Sequence, residues 1–380
     1  MGFSSFKHVK ISAIAGVVPE NYINIDDEIQ YYDNDLKKLE RNKKILGLGK
    51  RHIVDEGVGN IELAEQTIIN LEKKCKMNIN DIDVLAFASS GHDYAYPASA
   101  CIMHGKLDLP ESVSCFDFSG LACSGYVYHL WNLFSMIEAG TVKKCLLISS
   151  DIGSTHTNTK NRNVCILFGD GAVATLIEHT NNIEPSYFYT GTNGKGWKNI
   201  VAPARGFKLP VKKDIADLKI LDNAGNEWYM WEAILKGFDI FKYTSIIGPK
   251  GINDILNFAH LEKKDIDYFA IHQANKQIVD TIARHSGIQE NKYSTETFTK
   301  YGNCGISSTP MNICDILENK KVNNVMLATF GGGLSFGFSI LNLSKTVNGG
   351  IEYYKTPTNF PTRQEQIDYW IKYYKGEINE

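Results

Sequence analysis

A chain of 380 residues exceeds one ordinary domain, and 43% apolar against 22% charged residues is the composition of a folded globular protein, which excludes a disordered or fibrous chain. A formal charge of −3 gives no electrostatic case for nucleic acid or an anionic membrane surface. No apolar run reaches the ~18 residues of a membrane span. The start, Met1-Gly2-Phe3-Ser4-Ser5-Phe6, has neither a signal-peptide core nor the hydroxyl that myristoylation favours at position 6, so the chain reads as soluble and cytoplasmic. Its eight cysteines include no CxxC pair and no Cys/His cluster at zinc spacing, so neither a disulfide scaffold nor a metal is expected.

In chain order the elements repeat. Asp81-Ile82-Asp83 leads into the apolar run Val84–Ala88. Cys123 follows beside glycine at the head of a helix-length segment, Gly125 to Ile137, which Gly140 stops. The strand-like run Cys145–Ile148 comes next, and Phe168-Gly169-Asp170-Gly171 opens a further apolar run. In the second half Asp265-Ile266-Asp267 leads into Tyr268–Ile271, Cys304 lies beside glycine, Val325–Ala328 is strand-like, and Phe330-Gly331-Gly332-Gly333 closes the series. Cys123 follows Asp81 by 42 positions and Cys304 follows Asp265 by 39. Four correspondences in one order indicate two similar α/β halves, 1–180 and 181–345, with an extension at 346–380. The short, non-alternating strands suit a mostly parallel sheet covered on both faces, and a helix apolar all round belongs in the interior.

Cys123 therefore sits at the N-terminus of a buried helix among small neighbours. There the backbone N–H groups and helix dipole are expected to lower a thiol pKa and leave room for a thioester carbonyl. His272 ends an apolar strand, where α/β proteins place ligands, and Asn303 occupies a turn between Gly302 and the glycine after Cys304. Taken singly, each has an ordinary structural reading: a packed thiol, a strand-end histidine, a turn asparagine. The repeat sets the second pair opposite the Cys123 helix.

Asp117-Phe118-Ser119-Gly120-Leu121-Ala122-Cys123-Ser124-Gly125-Tyr126, His272-Gln273-Ala274-Asn275, Tyr301-Gly302-Asn303 and Phe330-Gly331-Gly332-Gly333 together resemble the thiolase-fold condensing enzymes, most closely 3-oxoacyl-[acyl-carrier-protein] synthase III. The resemblance runs from about Val9 to about Leu343. It implies a five-layered α/β/α/β/α fold, a homodimer and a Cys-His-Asn site. Cys123 would carry the acyl group, and His272 and Asn303 would stabilise the enolate formed when a malonyl thioester loses carbon dioxide. The N–H groups of Cys123 and Gly332 would form the oxyanion hole. Phe168 would line the acyl pocket, and Tyr96 would close the pocket of the neighbouring subunit. Substrates would be acyl-CoA or acyl-carrier-protein thioesters, with no cofactor.

Three departures from the family pattern stand out. Arg41 and Ile45 occupy the positions matched to a Trp–Arg clamp for coenzyme A, although Arg162 matches the other base-stacking arginine. Gln277 replaces a carrier-docking arginine, with Lys276 beside it as a substitute. The tail beyond Leu343 ends in Ile367, Trp370, Ile371 and Tyr374 at helical spacing, expected to pack as a docking helix, with a lid as the rival reading. Neither glycine-rich piece is a phosphate loop or a dinucleotide fingerprint. Transfer of the acyl group to an oxygen, nitrogen or β-keto acceptor is the alternative activity. A silent partner subunit is disfavoured by the presence of Cys123, His272 and Asn303.

Overall fold

The computed structural model describes residues 2–223 and 225–378. The chain opens with β1 (Gly2–Phe6) and then builds a first sheet from β2 (Val9–Pro19), β3 (Val84–Ala88), β4 (Ser114–Phe118), β5 (Lys144–Ile152) and β6 (Asp170–His179). A second sheet follows from β7 (Ser186–Thr192), β8 (Tyr268–Ile271), β9 (Asn324–Gly331) and β10 (Ser335–Asn342). The last strand, β11 (Val347–Tyr354), returns to the first sheet, giving the orders β11-β2-β6-β5-β3-β4 and β1-β7-β10-β9-β8. Each sheet thus borrows an edge strand from the opposite end of the chain.

The duplication is written in hydrogen bonds as well as in sequence. Asp83 Oδ2 accepts from the N–H groups of Lys143 and Lys144 at 2.7 and 2.9 Å. Asp267 Oδ2 accepts from those of Asn323 and Asn324 at 2.8 and 3.1 Å. These paired locks set β3 parallel to β5 and β8 parallel to β9. The sheets are not mostly parallel, however. β5–β6, β2–β6, β9–β10, β7–β10 and β1–β7 are all antiparallel. Strands buried on both faces carry no alternating polar positions, so their apolar runs do not report strand direction.

Five layers result. Helices α2 (Asn60–Cys75) and α3 (Ser99–Lys106) cover the outer face of the first sheet. Helices α4 (Gly125–Glu138) and α7 (Ser308–Asn319) fill the space between the sheets, and α5 (Gly237–Ala259) with α6 (Lys276–His285) covers the second. In α4, Tyr126, Val127, Leu130, Leu133, Phe134 and Ile137 are all buried, as a central helix requires.

Outside the layers, α1 (Leu36–Leu46) stands near the site and α8 (Arg363–Tyr374) ends the described chain. Thr362 and Glu365 close a capping box that starts α8. The expected packing of this tail divides in two. Its strand, β11, is paired to β2, but Ile367, Trp370, Ile371 and Tyr374 of α8 remain 43, 48, 47 and 92% exposed. The helix meets the body through Gln366 Nε2 on the Gly57 carbonyl and Trp370 edge-on to Tyr94.

Candidate active site

Strand β4 delivers the chain to a sharp turn at Ala122–Ser124, which runs into α4. Gly120 has φ +87° and Ala122, a residue with a Cβ, is held at φ +48°. Backbone strain of this kind persists only where surrounding contacts enforce it, and it sets Cys123 at the head of the turn. The enforcing contact is the 331–333 segment. A side chain on Gly331 would run into the Leu121 carbonyl oxygen and come within 2.5 Å of the Ser124 nitrogen. Ser124 Oγ and Ser335 Oγ, 2.6 Å apart, tie the two segments together, and Ser335 Oγ donates to the Gly332 carbonyl.

Two expectations about this turn are corrected. Burial pushes the Cys123 thiol up to about 12, with the Asp151 carboxylate adding to the rise, and together they outweigh the lowering by the backbone N–H. The Gly332 N–H already donates to the Leu121 carbonyl at 3.0 Å, so in this state it is not a free oxyanion donor. The Cys123 N–H lies in the first turn, where helix geometry provides no carbonyl partner.

His272 follows β8 directly, its N–H anchored on the Ala328 carbonyl at 2.8 Å. Asn275 Oδ1 then caps α6 by accepting from the Ile278 N–H. The His272 ring is buried, which holds its pKa down to about 4 and keeps it neutral near pH 7. Nδ1 has no hydrogen-bond partner among the described residues. Asn303 lies beside Phe168. Its N–H donates to the Leu167 carbonyl and its carbonyl accepts from Gly169.

One cavity of about 780 Å³ is lined by Cys123, His272 and Asn303 together, so side chains from both sheets converge on it. Phe168, Arg162 and Gln277 also line it. Arg162 is braced by Asn226 Oδ1 at 2.8 Å and the Tyr31 carbonyl at 3.0 Å. Lys276 is not in the lining: its ammonium pairs with Asp280 at 2.7 Å and its Cβ packs on Gly47. Tyr96 is 85% exposed and stands outside this cavity. The matched clamp positions are also displaced. Helix α1 turns Lys38, Asn42 and Leu46 to the cavity, while Arg41 and Ile45 are exposed.

Sequence reasoning missed Asp151, a buried carboxylate in the cavity wall. It accepts from the N–H groups of Ser90 and Ile306 at 2.6 and 2.8 Å and so joins the two halves behind the site. Its place at the end of an apolar strand was the available signal. Ser99, His92 and Asp117 superficially resemble a proteolytic triad, but both contacts use the same ring nitrogen, Nδ1, so no proton path exists. Among the described residues no cluster of His, Cys, Asp and Glu is placed to hold a metal, and no helix is long and apolar enough to cross a membrane.

A cysteine, a neutral histidine and an asparagine brought together by two stacked, duplicated α/β halves define a thiolase-fold condensing enzyme. The family models described as 3-Oxoacyl-[acyl-carrier-protein (ACP)] synthase III and its C terminal match residues 116–194 and 256–343. A 3-oxoacyl-[acyl-carrier-protein] synthase 3 homologue of Campylobacter jejuni is 33% identical over 92% of this chain and 98% of its own. A beta-ketoacyl-[acyl-carrier-protein] synthase III of Clostridium tetani is 31% identical over 88% of this chain and 98% of its own. The crystal structure of a 3-oxoacyl-(acyl-carrier protein) synthase from Burkholderia xenovorans superposes with a TM-score of 0.84 at 26% identity, covering 93% of this chain and 99% of that one. The chain belongs to the 3-oxoacyl-[acyl-carrier-protein] synthase III family.

Proposed function

We propose that this protein joins an acyl group to a malonyl thioester by decarboxylative condensation, with Cys123 as the acyl carrier. The observation that supports it most is the convergence of Cys123, neutral His272 and Asn303 on one cavity. In the first half-reaction the Cys123 sulfur attacks an acyl thioester, the carrier thiol departs, and the Cys123 proton passes to it. The Cys123 N–H supports the charge on the tetrahedral oxygen. Because the free thiol is pushed up to about 12, it needs a base at the moment of attack. The departing carrier thiolate fills that role, taking up the Cys123 proton as it leaves, so the neutral His272 ring keeps its Nε2–H for the second half-reaction.

In the second half-reaction malonyl thioester loses carbon dioxide, and the electron pair left behind forms an enolate. The His272 Nε2–H and the Asn303 amide donate to its oxygen, and neither carries a charge that would attract the departing carboxylate. The enolate carbon attacks the acyl carbonyl, the bond to Cys123 Sγ breaks, and the thiolate takes up a proton. The products are a 3-oxoacyl thioester, carbon dioxide and free Cys123. We assign Phe168 to the acyl wall and Arg162 and Gln277 to the rim where the thioester arm enters. Tyr96, exposed on the single chain, would complete the pocket of a second copy, and Lys276 would serve only a carrier protein docked outside.

The test is to mix the protein with an acyl thioester, read the adduct mass on Cys123, then add malonyl-carrier thioester and follow carbon dioxide. The adduct on Cys123 followed by carbon dioxide release is expected, with Cys123→Ala abolishing the adduct and the 3-oxoacyl product. An adduct that forms but never decarboxylates malonyl thioester would overturn condensation in favour of acyl transfer to another acceptor.

A further inference from the structure

The amide of Asn303 can do its work only if Nδ2, and not Oδ1, faces the cavity, and the two ends of an amide have nearly the same shape. The surroundings decide the question. The Gly305 N–H, which can only donate, points at this side chain at 3.1 Å, so the atom it meets is Oδ1. The Ser308 hydroxyl donates to the same oxygen at 2.9 Å. Asn303 and Ser308 are both buried, 6 and 3% exposed, so water does not compete for either bond. With both Oδ1 contacts supplied from behind, Nδ2 is left to the cavity. It is not among the buried atoms that lack a partner.

Ser308 is the first residue of α7, the helix between the two sheets, and is held against the core by the elements on both sides. Its neighbour Ser307 is committed elsewhere, donating to the carbonyls of Ser149 and Gly171 at 2.8 and 3.0 Å. The turn between Asn303 and α7 is equally constrained. Gly305 has φ +57°, and any Cβ there would run into the Asp151 carboxylate. The backbone contact to Oδ1 is thus fixed by the fold, while the hydroxyl contact depends on a single side chain.

We propose that Ser308 is a positioning residue for the decarboxylation half-reaction: its hydroxyl, with the Gly305 N–H, holds the Asn303 amide so that Nδ2 donates to the enolate oxygen. Ser308 does not touch the substrate, so its effect runs entirely through Asn303. The proposal rests on the condensing activity described above.

A double-mutant cycle with two readouts tests it. Ser308→Ala should slow malonyl-dependent carbon dioxide release about tenfold, the size expected for losing one of two buried contacts to the amide. Single-turnover acylation of Cys123 should stay within about twofold. In an Asn303→Ala background, which should itself lose on the order of 10²–10³ in rate, adding Ser308→Ala should change nothing further. A merely structural serine would slow acylation and decarboxylation together and would add its cost in both backgrounds; either result overturns the proposal. Full-rate decarboxylation by Ser308→Ala overturns it as well, with the condensing function left standing. A wild-type protein that releases no carbon dioxide from malonyl thioester overturns the functional reading and this proposal together.

Discussion

Replacing Gly331 with alanine probes the contact on which the nucleophile turn depends. The backbone at Gly331 is extended, with φ −160°, so alanine adopts it without strain and the whole effect comes from crowding. Its Cβ would stand 2.5 Å from the Ser124 nitrogen and closer still to the Leu121 oxygen, where ordinary contact begins near 3.4 Å. The obstacles are backbone atoms, and the turn cannot swing aside as a side-chain tip would. Either the Cys123 turn or the 331–333 segment must move by about 0.9 Å to clear the Ser124 nitrogen, and further to clear the Leu121 oxygen. Overpacking of this kind costs ~1–3 kcal/mol, which lowers the melting temperature by a few degrees without unfolding the protein. A misplacement of ~1 Å at reacting atoms costs on the order of 10²-fold in rate. Single-turnover acylation of Cys123, read by intact-protein mass, should therefore fall about a hundredfold while far-ultraviolet circular dichroism is preserved. Gly194→Ala is the control, since nothing lies within 4 Å of the added carbon. Acylation by Gly331→Ala within threefold of wild type would refute the argument that this close approach places the nucleophile.

Iodoacetamide should modify Cys123 at a rate that climbs through pH 8–10 without levelling off, because burial and Asp151 push the thiol up to about 12; a plateau below pH 8, found by peptide mapping, would contradict this. Stability should fall on acidification from about pH 6.5 towards 4, because the unfolded chain takes up protons that buried His272 and His129, lowered to about 4 and about 3, refuse in the folded state. Each contributes a slope of up to about 1.4 kcal/mol per pH unit below pH 6.5, so its stability is present in full above that pH. His156, lowered to about 4, adds to the fall and Asp170, raised to about 6, opposes it, and His129→Phe should flatten the dependence by about one such slope in urea titrations. Truncation after Tyr354 removes only α8 and should leave the melting temperature of the monomer within a few degrees. Truncation after Leu343 also strips β11 from β2 and should lower it much further; equal effects would show that β11 contributes nothing.

The sequence by itself determined the duplication, the burial of α4 and the three residues of the candidate site. Each of these is carried by local signals: the Asp83 and Asp267 locks sit at fixed distances from their strands, and Cys123 and Asn303 lie in glycine turns. Strand direction was beyond its reach, because the antiparallel β9 and β10 are as uniformly buried as the parallel β3 and β5. So was the exchange of β1 and β11 between sheets, pairings across about half the chain and nearly all of it that leave no local mark. The face of α1 was misassigned by a single helical step: Lys38, Asn42 and Leu46 point to the cavity, and which stripe faces inward is decided by how the helix docks. Chemistry at the site was decided later still. A helix N-terminus favours a thiolate, but desolvation beside Asp151 outweighs that field. The Gly332 N–H is taken by a carbonyl 211 positions away in the chain, that of Leu121. Desolvation and partner choice depend on which atoms surround a group in three dimensions, and only the folded chain supplies them.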